Sequence, residues 1–156
     1  MMRSRNILIL FVTVFLALPS FAQIGGRAEK LIGKWEFKEG SGFETWRAEG
    51  DELVGKAYRK GKVGDTTKVE EVNLKRVNKN LIYTLNTYNI VQDSVIVNTY
   101  RFVGGKRKLS FVNIDSNTPY SIDYKFGFLN RNKLFIKIKY GINDKATKLT
   151  LRRVTD

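Results

Sequence analysis

Between Lys34 and Val154 apolar and polar residues alternate with a period of two, and turn residues interrupt the alternation at short intervals. The pattern predicts ten strands, over 34–38, 42–48, 53–60, 67–78, 81–89, 94–103, 108–114, 120–128, 133–140 and 147–154. The joints are short and rich in Gly, Asn and Asp, as in Glu39-Gly40-Ser41-Gly42, Glu49-Gly50-Asp51, Asn78-Lys79-Asn80 and Gly104-Gly105-Lys106. Joints of this kind make consecutive strands antiparallel neighbours. Ahead of the strands, Ala28-Glu29-Lys30-Leu31 predicts one helical turn. No stretch sustains a helical period, so no helix is expected to cover a sheet face. A row of short strands must then hide its edges, most simply by closing on itself. The expected fold is all-β, a single antiparallel up-and-down (meander) β-barrel of about ten strands. A two-sheet sandwich comes second, because sandwiches need longer crossovers.

The alternation also assigns faces. Leu134, Ile136, Ile138 and Tyr140 are expected inside, with Lys133, Lys137 and Lys139 outside. Leu81, Tyr83 and Leu85 form a second inward set, and Tyr120, Ile122, Tyr124, Phe126 and Phe128 a third. Over 94–103 both faces carry apolar residues, and the register stays open. At the start of the first strand, Gly33 lets the chain turn tightly and Trp35 becomes a plug across the barrel floor. A basic residue of the last strand, Arg153 or, one register away, Arg152, is placed to stack on that indole and close the base.

Several inward positions are polar. Glu70 and Arg76 share a face with Val72 and Leu74, Asn113 with Leu109 and Phe111, Arg153 with Leu149 and Leu151, and Glu44 with Trp46. The phenols of Tyr83 and Tyr124 join them. Burying such groups costs a few kcal/mol each unless they are paired or hydrated. The interior is therefore expected to be a polar network or a wet cavity, and a barrel of about ten strands is wide enough for a ligand. Otherwise these side chains sit at barrel mouths and simply reach water. The candidate ligand-binding residues are Glu44, Trp46, Glu70, Tyr83, Asn113, Tyr124 and Arg153. Gly33, Trp35 and Arg152 are the candidates for barrel closure. A weaker reading takes Glu44 and Glu70, with Asp115, as carboxylates for glycosidic hydrolysis, although nothing in the sequence sets their spacing.

Composition narrows the chemistry. The chain has 156 residues, with no His and no Cys. Imidazole and thiolate metal sites are excluded, as is His-ligated haem, and no metal or cofactor is expected. Residues 1–22 read as a signal peptide: Arg3 and Arg5, an apolar run over 7–18, then Ser20-Phe21-Ala22 before cleavage. A retained anchor is the alternative, but the run is shorter than the roughly 20 residues that span a bilayer. Removing 22 of 156 residues leaves 134, a single barrel domain over 23–156. The leader holds two of the 28 basic residues and none of the 15 acidic ones, so the domain keeps a net charge of +11. The lysines alternate with apolar residues, which fits a solvated outer face; an anionic envelope lipid or polysaccharide is the sharper partner. Nucleic acid is not expected, because the basic residues are dispersed and the chain is exported, to the periplasm or beyond.

With Gly33-Lys34-Trp35 at one end and Arg152-Arg153 at the other, the chain resembles the calycins, the superfamily of lipocalins and fatty-acid-binding-protein-like barrels. It is similar more closely to a family of uncharacterised exported bacterial proteins common in the Bacteroidetes. Their pattern is matched by Gly33-x-Trp35, Glu44-x-Trp46, Gly55, Glu70, Phe111-Val112-Asn113, Pro119 and Ile122-x-Tyr124. Where that pattern carries His-Asp-Phe before the Pro, this chain has Ser116-Asn117-Thr118. The resemblance implies a barrel that holds a small hydrophobic or amphipathic ligand. It also implies a carboxylate clamp made by Arg153 with Tyr83 or Tyr124, for a ligand with an acidic head.

Overall fold

The computed structural model describes residues 26–105, 107–115 and 119–155. The expected signal peptide and its cleavage site lie outside these residues, as does the Ser116-Asn117-Thr118 departure. A one-turn 3-10 helix, Ala28–Leu31, leads into ten strands: β1 Gly33–Phe37, β2 Gly42–Glu49, β3 Glu52–Lys60, β4 Thr66–Val77, β5 Asn80–Asn89, β6 Ser94–Gly104, β7 Lys108–Asn113, β8 Ser121–Phe126, β9 Lys133–Lys139 and β10 Thr147–Arg153. Each pairs antiparallel with its chain neighbours, and β1 pairs with β10, so the sheet closes into a meander barrel. The sandwich alternative is thereby excluded. Among the described residues no helix is long and apolar enough to cross a membrane.

An up-and-down barrel has two ends, and here they differ. The base gathers the start of β1, the end of β10 and the 3-10 turn. Trp35 is fully buried there, and its Nε1–H donates to the Leu31 carbonyl at 2.6 Å. The Arg153 guanidinium lies 4.2 Å from the centre of the Trp35 ring. It also donates to the carbonyls of Ile32 (2.6 Å) and Lys30 (2.7 Å), so one side chain ties the last strand to the chain entering the first. Gly33 makes room for it: at φ +125° it takes a backbone conformation that L side chains avoid, and a Cβ there would meet the guanidinium at 2.5 Å. Arg152, the alternative for this role one register away, is exposed. In the β10 alternation Leu149, Leu151 and Arg153 share the inner face, which sends Arg152 outward.

Above this plug the lower barrel is filled. Leu53, Leu74, Leu134 and Leu151 are fully buried or nearly so. Trp46 meets Tyr124 edge-on at 5.9 Å, and Tyr83 packs on Phe111 at 4.8 Å and on Tyr100 at 5.5 Å. Gly55, paired with Trp46 across β2 and β3, lets the indole lie flat on the neighbouring strand; a Cβ there would sit 2.7 Å from the ring.

The expected faces hold within strands and fail beyond their ends. Phe128, expected inside, is 83% exposed, and Tyr140, also expected inside, lines the cavity mouth while 48% exposed. β8 stops at Phe126 and β9 at Lys139, so neither residue is bound by the pleat. Arg76, one residue from the lower end of β4, keeps the inner face, paired with the buried Leu81, but is exposed at the barrel end. β6 settles into one register: Asn98 and Tyr100 face in, while Val95, Val97 and Val103 face water. β5 and β6 also outgrow β7, whose pairing with β6 begins at Tyr100.

Candidate functional site

The upper half of the barrel is hollow. A cavity of about 680 Å³ opens between the turns at that end, walled by apolar side chains such as Leu85, Ile122, Ile136 and Ile138. Its polar groups come from neighbouring strands: Glu44 on β2, Glu70 on β4, Tyr83 on β5, Asn98 on β6 and Tyr124 on β8. Arg59 and Lys60 stand at the mouth.

Strand register places the two carboxylates. Glu44 pairs with Ala57, and Ala57 pairs with Glu70. The two glutamates thus lie in one row across three strands, two interstrand spacings or roughly 10 Å apart at the backbone. The small side chain of Ala57 between them leaves the space open. Next to this pairing β4 carries an extra residue, Val69, a bulge that re-aims the strand where Glu70 enters the cavity.

Glu44 is only 8% exposed. Its Oε2 accepts a hydrogen bond from Trp46 Nε1 at 3.1 Å. Burial pushes its pKa up to about 7, against the pull of the Trp46 bond, and the negative charge of Glu70 adds to the rise. Burial raises Glu70 as well, opposed by the positive charge of Arg59. The Tyr83 and Tyr124 hydroxyls are 3.0 Å apart and share a hydrogen bond; burial holds both well above the ordinary phenol value. Tyr100 is pushed up to about 12, chiefly by burial, and Asn113 beside it draws the value partly back.

The expected site residues thus divide into three groups. Glu44, Glu70, Tyr83 and Tyr124 converge on the cavity. Trp46 lies beneath it and orients Glu44. Asn113 is structural: its Oδ1 accepts the Asp115 backbone N–H at 2.9 Å, and its Nδ2 donates at 3.4 Å to Asn98 Oδ1 and to the Pro119 carbonyl. Asp115 is exposed on the connection after β7, so the three-carboxylate set is not assembled. Arg153 is at the opposite end, occupied by Trp35 and two carbonyls, and cannot form a clamp with Tyr83 or Tyr124. Asn98 lines the cavity but was missed, because the apolar residues on both faces of β6 masked its inward register. Among the described residues no group of three or more Asp, Glu, His or Cys side chains gathers as a metal-ligand set.

Fold and site together define the class: a small closed antiparallel barrel, plugged at one end and hollow at the other, with polar groups at the cavity floor. Comparison with models of protein families and with curated proteins finds no match for this chain.

Proposed function

We propose that this protein is an exported, calycin-like carrier that binds a small, mostly hydrophobic ligand in the upper cavity. The observation that carries the reading is the cavity itself: about 680 Å³ with apolar walls and a few converging polar groups, the usual make-up of a small-molecule site. The turns around the mouth add to it, since Val63, Val91 and Ile142 expose most of their surface and suit the approach of an apolar molecule. The test is native mass spectrometry on protein purified gently from its own envelope. A small molecule that leaves on denaturation supports the carrier. A bare protein that also ignores a panel of neutral apolar compounds argues against it.

A second reading, contact with an anionic envelope lipid or polysaccharide through the basic surface, is favoured by the base. A cleft there is lined by Arg27, Lys30, Lys125 and Arg131. At its edge Phe128 and Leu129 are 83% and 94% exposed, and Arg107 sits 5.6 Å over the Phe128 ring. Cations around exposed apolar side chains suit an anionic interface. Co-sedimentation with anionic but not neutral vesicles, lost in Phe128→Ser, supports this reading; equal behaviour with both vesicle types rejects it.

A further inference from the structure

The cavity can be read for the head group it would hold, and this step rests on the carrier reading. Three polar side chains face the space with capacity to spare. Glu44 is more than nine-tenths buried, and its one hydrogen bond, from Trp46, uses Oε2, leaving Oε1 without a partner among the described residues. Glu70 makes no hydrogen bond or ion pair there either; Arg59 acts on it only through its charge. Asn98, 6% exposed, uses its Oδ1 for Asn113 and leaves its amide nitrogen without a partner. Glu44 and Asn98 are buried, and buried polar groups in folded proteins are nearly always satisfied; left open toward a cavity, with the half-buried Glu70 beside them, they point to something that completes them.

The surrounding charges decide what that is. Lys60, at the mouth, is engaged by Glu36 at 2.5 Å. Arg59, also at the mouth, is exposed, and Glu39 stands nearby on the turn after β1. Tyr83 and Tyr124 face the carboxylates from β5 and β8 and Tyr100 interacts with Glu70 from β6; all three stay protonated at neutral pH. The cavity floor therefore holds two acidic groups and no cation. An acidic head would meet both carboxylates. A protonated amine would supply three N–H donors to two carboxylates in one row with only Ala57 between them.

We propose that the cavity binds an amphipathic amine, with its ammonium between Glu44 and Glu70 and its apolar body against Leu85, Ile136 and Ile138. On binding, the amine stays charged and Glu44 gives up its proton to solvent where it still carries one. No covalent bond forms or breaks.

Calorimetry with octylamine, octan-1-ol and octanoate on the wild-type protein at pH 8 tests the assignment. The expected result is that octylamine binds at least about tenfold tighter than octan-1-ol, and octanoate weakest. Glu44→Gln and Glu70→Gln should each cost octylamine about tenfold and so erase most of its advantage over octan-1-ol, with circular dichroism checking that both fold. At pH 6.5, in buffers of different ionisation enthalpy, octylamine binding to the wild type should release protons, and this release should shrink in Glu44→Gln. If octan-1-ol binds and octylamine gains nothing over it, the head-group assignment falls and the carrier reading stands. Tighter binding of octanoate overturns the assignment in the same way. If none of the three binds, both readings fall together.

Discussion

One strand, β9, passes through both halves of the barrel. At its lower end Leu134 is completely buried among Trp35-level side chains, while at its upper end Ile138 borders open space. The same alternation of Leu and Ile with Lys places both residues on the inner face, yet only one of them is packed on all sides. The difference lies in what arrives from the other strands. The base receives two indoles and a ring of leucines, and the 3-10 turn seals it. The top receives glutamates, Asn98 and the small Ala57, which do not fill a space of that width. The lower half supplies stability, and the upper half gives up packing for a cavity.

The largest test of this division is the plug. Trp35→Ala should cost about 3–5 kcal/mol in urea denaturation, because it empties the floor and strands Arg153. A loss under about 1 kcal/mol would mean the base is not the foundation of the fold. Next comes the β9 pair: Leu134→Ala should cost about 3 kcal/mol and Ile138→Ala about 1 kcal/mol or less. Equal costs would show that the top is as tightly packed as the base.

Glu44 gives an effect that depends on pH. Its carboxyl ionises near 7 in the folded protein against an ordinary value of 4.5. Between those values the folded state holds more protons than the unfolded one, so stability falls as pH rises from 4.5 to 7 and levels off above. The full difference is about 3 kcal/mol. Glu44→Gln should flatten that slope and leave the protein more stable than wild type at pH 8, as thermal melts across pH 4–8 would show; an unchanged slope assigns it to another group. A small effect is also expected of Tyr83→Phe, which removes one hydrogen bond to Tyr124 at a cost of about 1 kcal/mol. A cost of several kcal/mol would mean that the Tyr83 hydroxyl holds more than this one bond.

Much of this architecture was legible in the chain. Period-two alternation and turn residues placed all ten strands, and the Gly33-x-Trp35 opening pointed to the plug. Alternation is a property of the pleat, so it misled where a strand ends, at Phe128, and left Tyr140 only at the cavity mouth. It was silent on β6, where valines cover the outer face and hid Asn98. The inward carboxylates Glu44 and Glu70 could be read, because a polar residue on an apolar face stands out. Whether Arg153 faced the ligand or the plug could not be read, since both ends of a barrel share one inner face and only the strand register, Trp35 opposite Arg153, tells them apart.

The most direct test of the central claim is titration with a neutral fluorescent apolar probe, N-phenyl-1-naphthylamine, against three proteins. Ala57→Phe should fill the space between Glu44 and Glu70, and Leu134→Ala should perturb only the base. The account predicts one probe bound per wild-type molecule, binding abolished in Ala57→Phe and kept in Leu134→Ala. Undiminished binding to a folded Ala57→Phe protein would place the probe elsewhere and contradict the division into a filled base and a ligand-holding top.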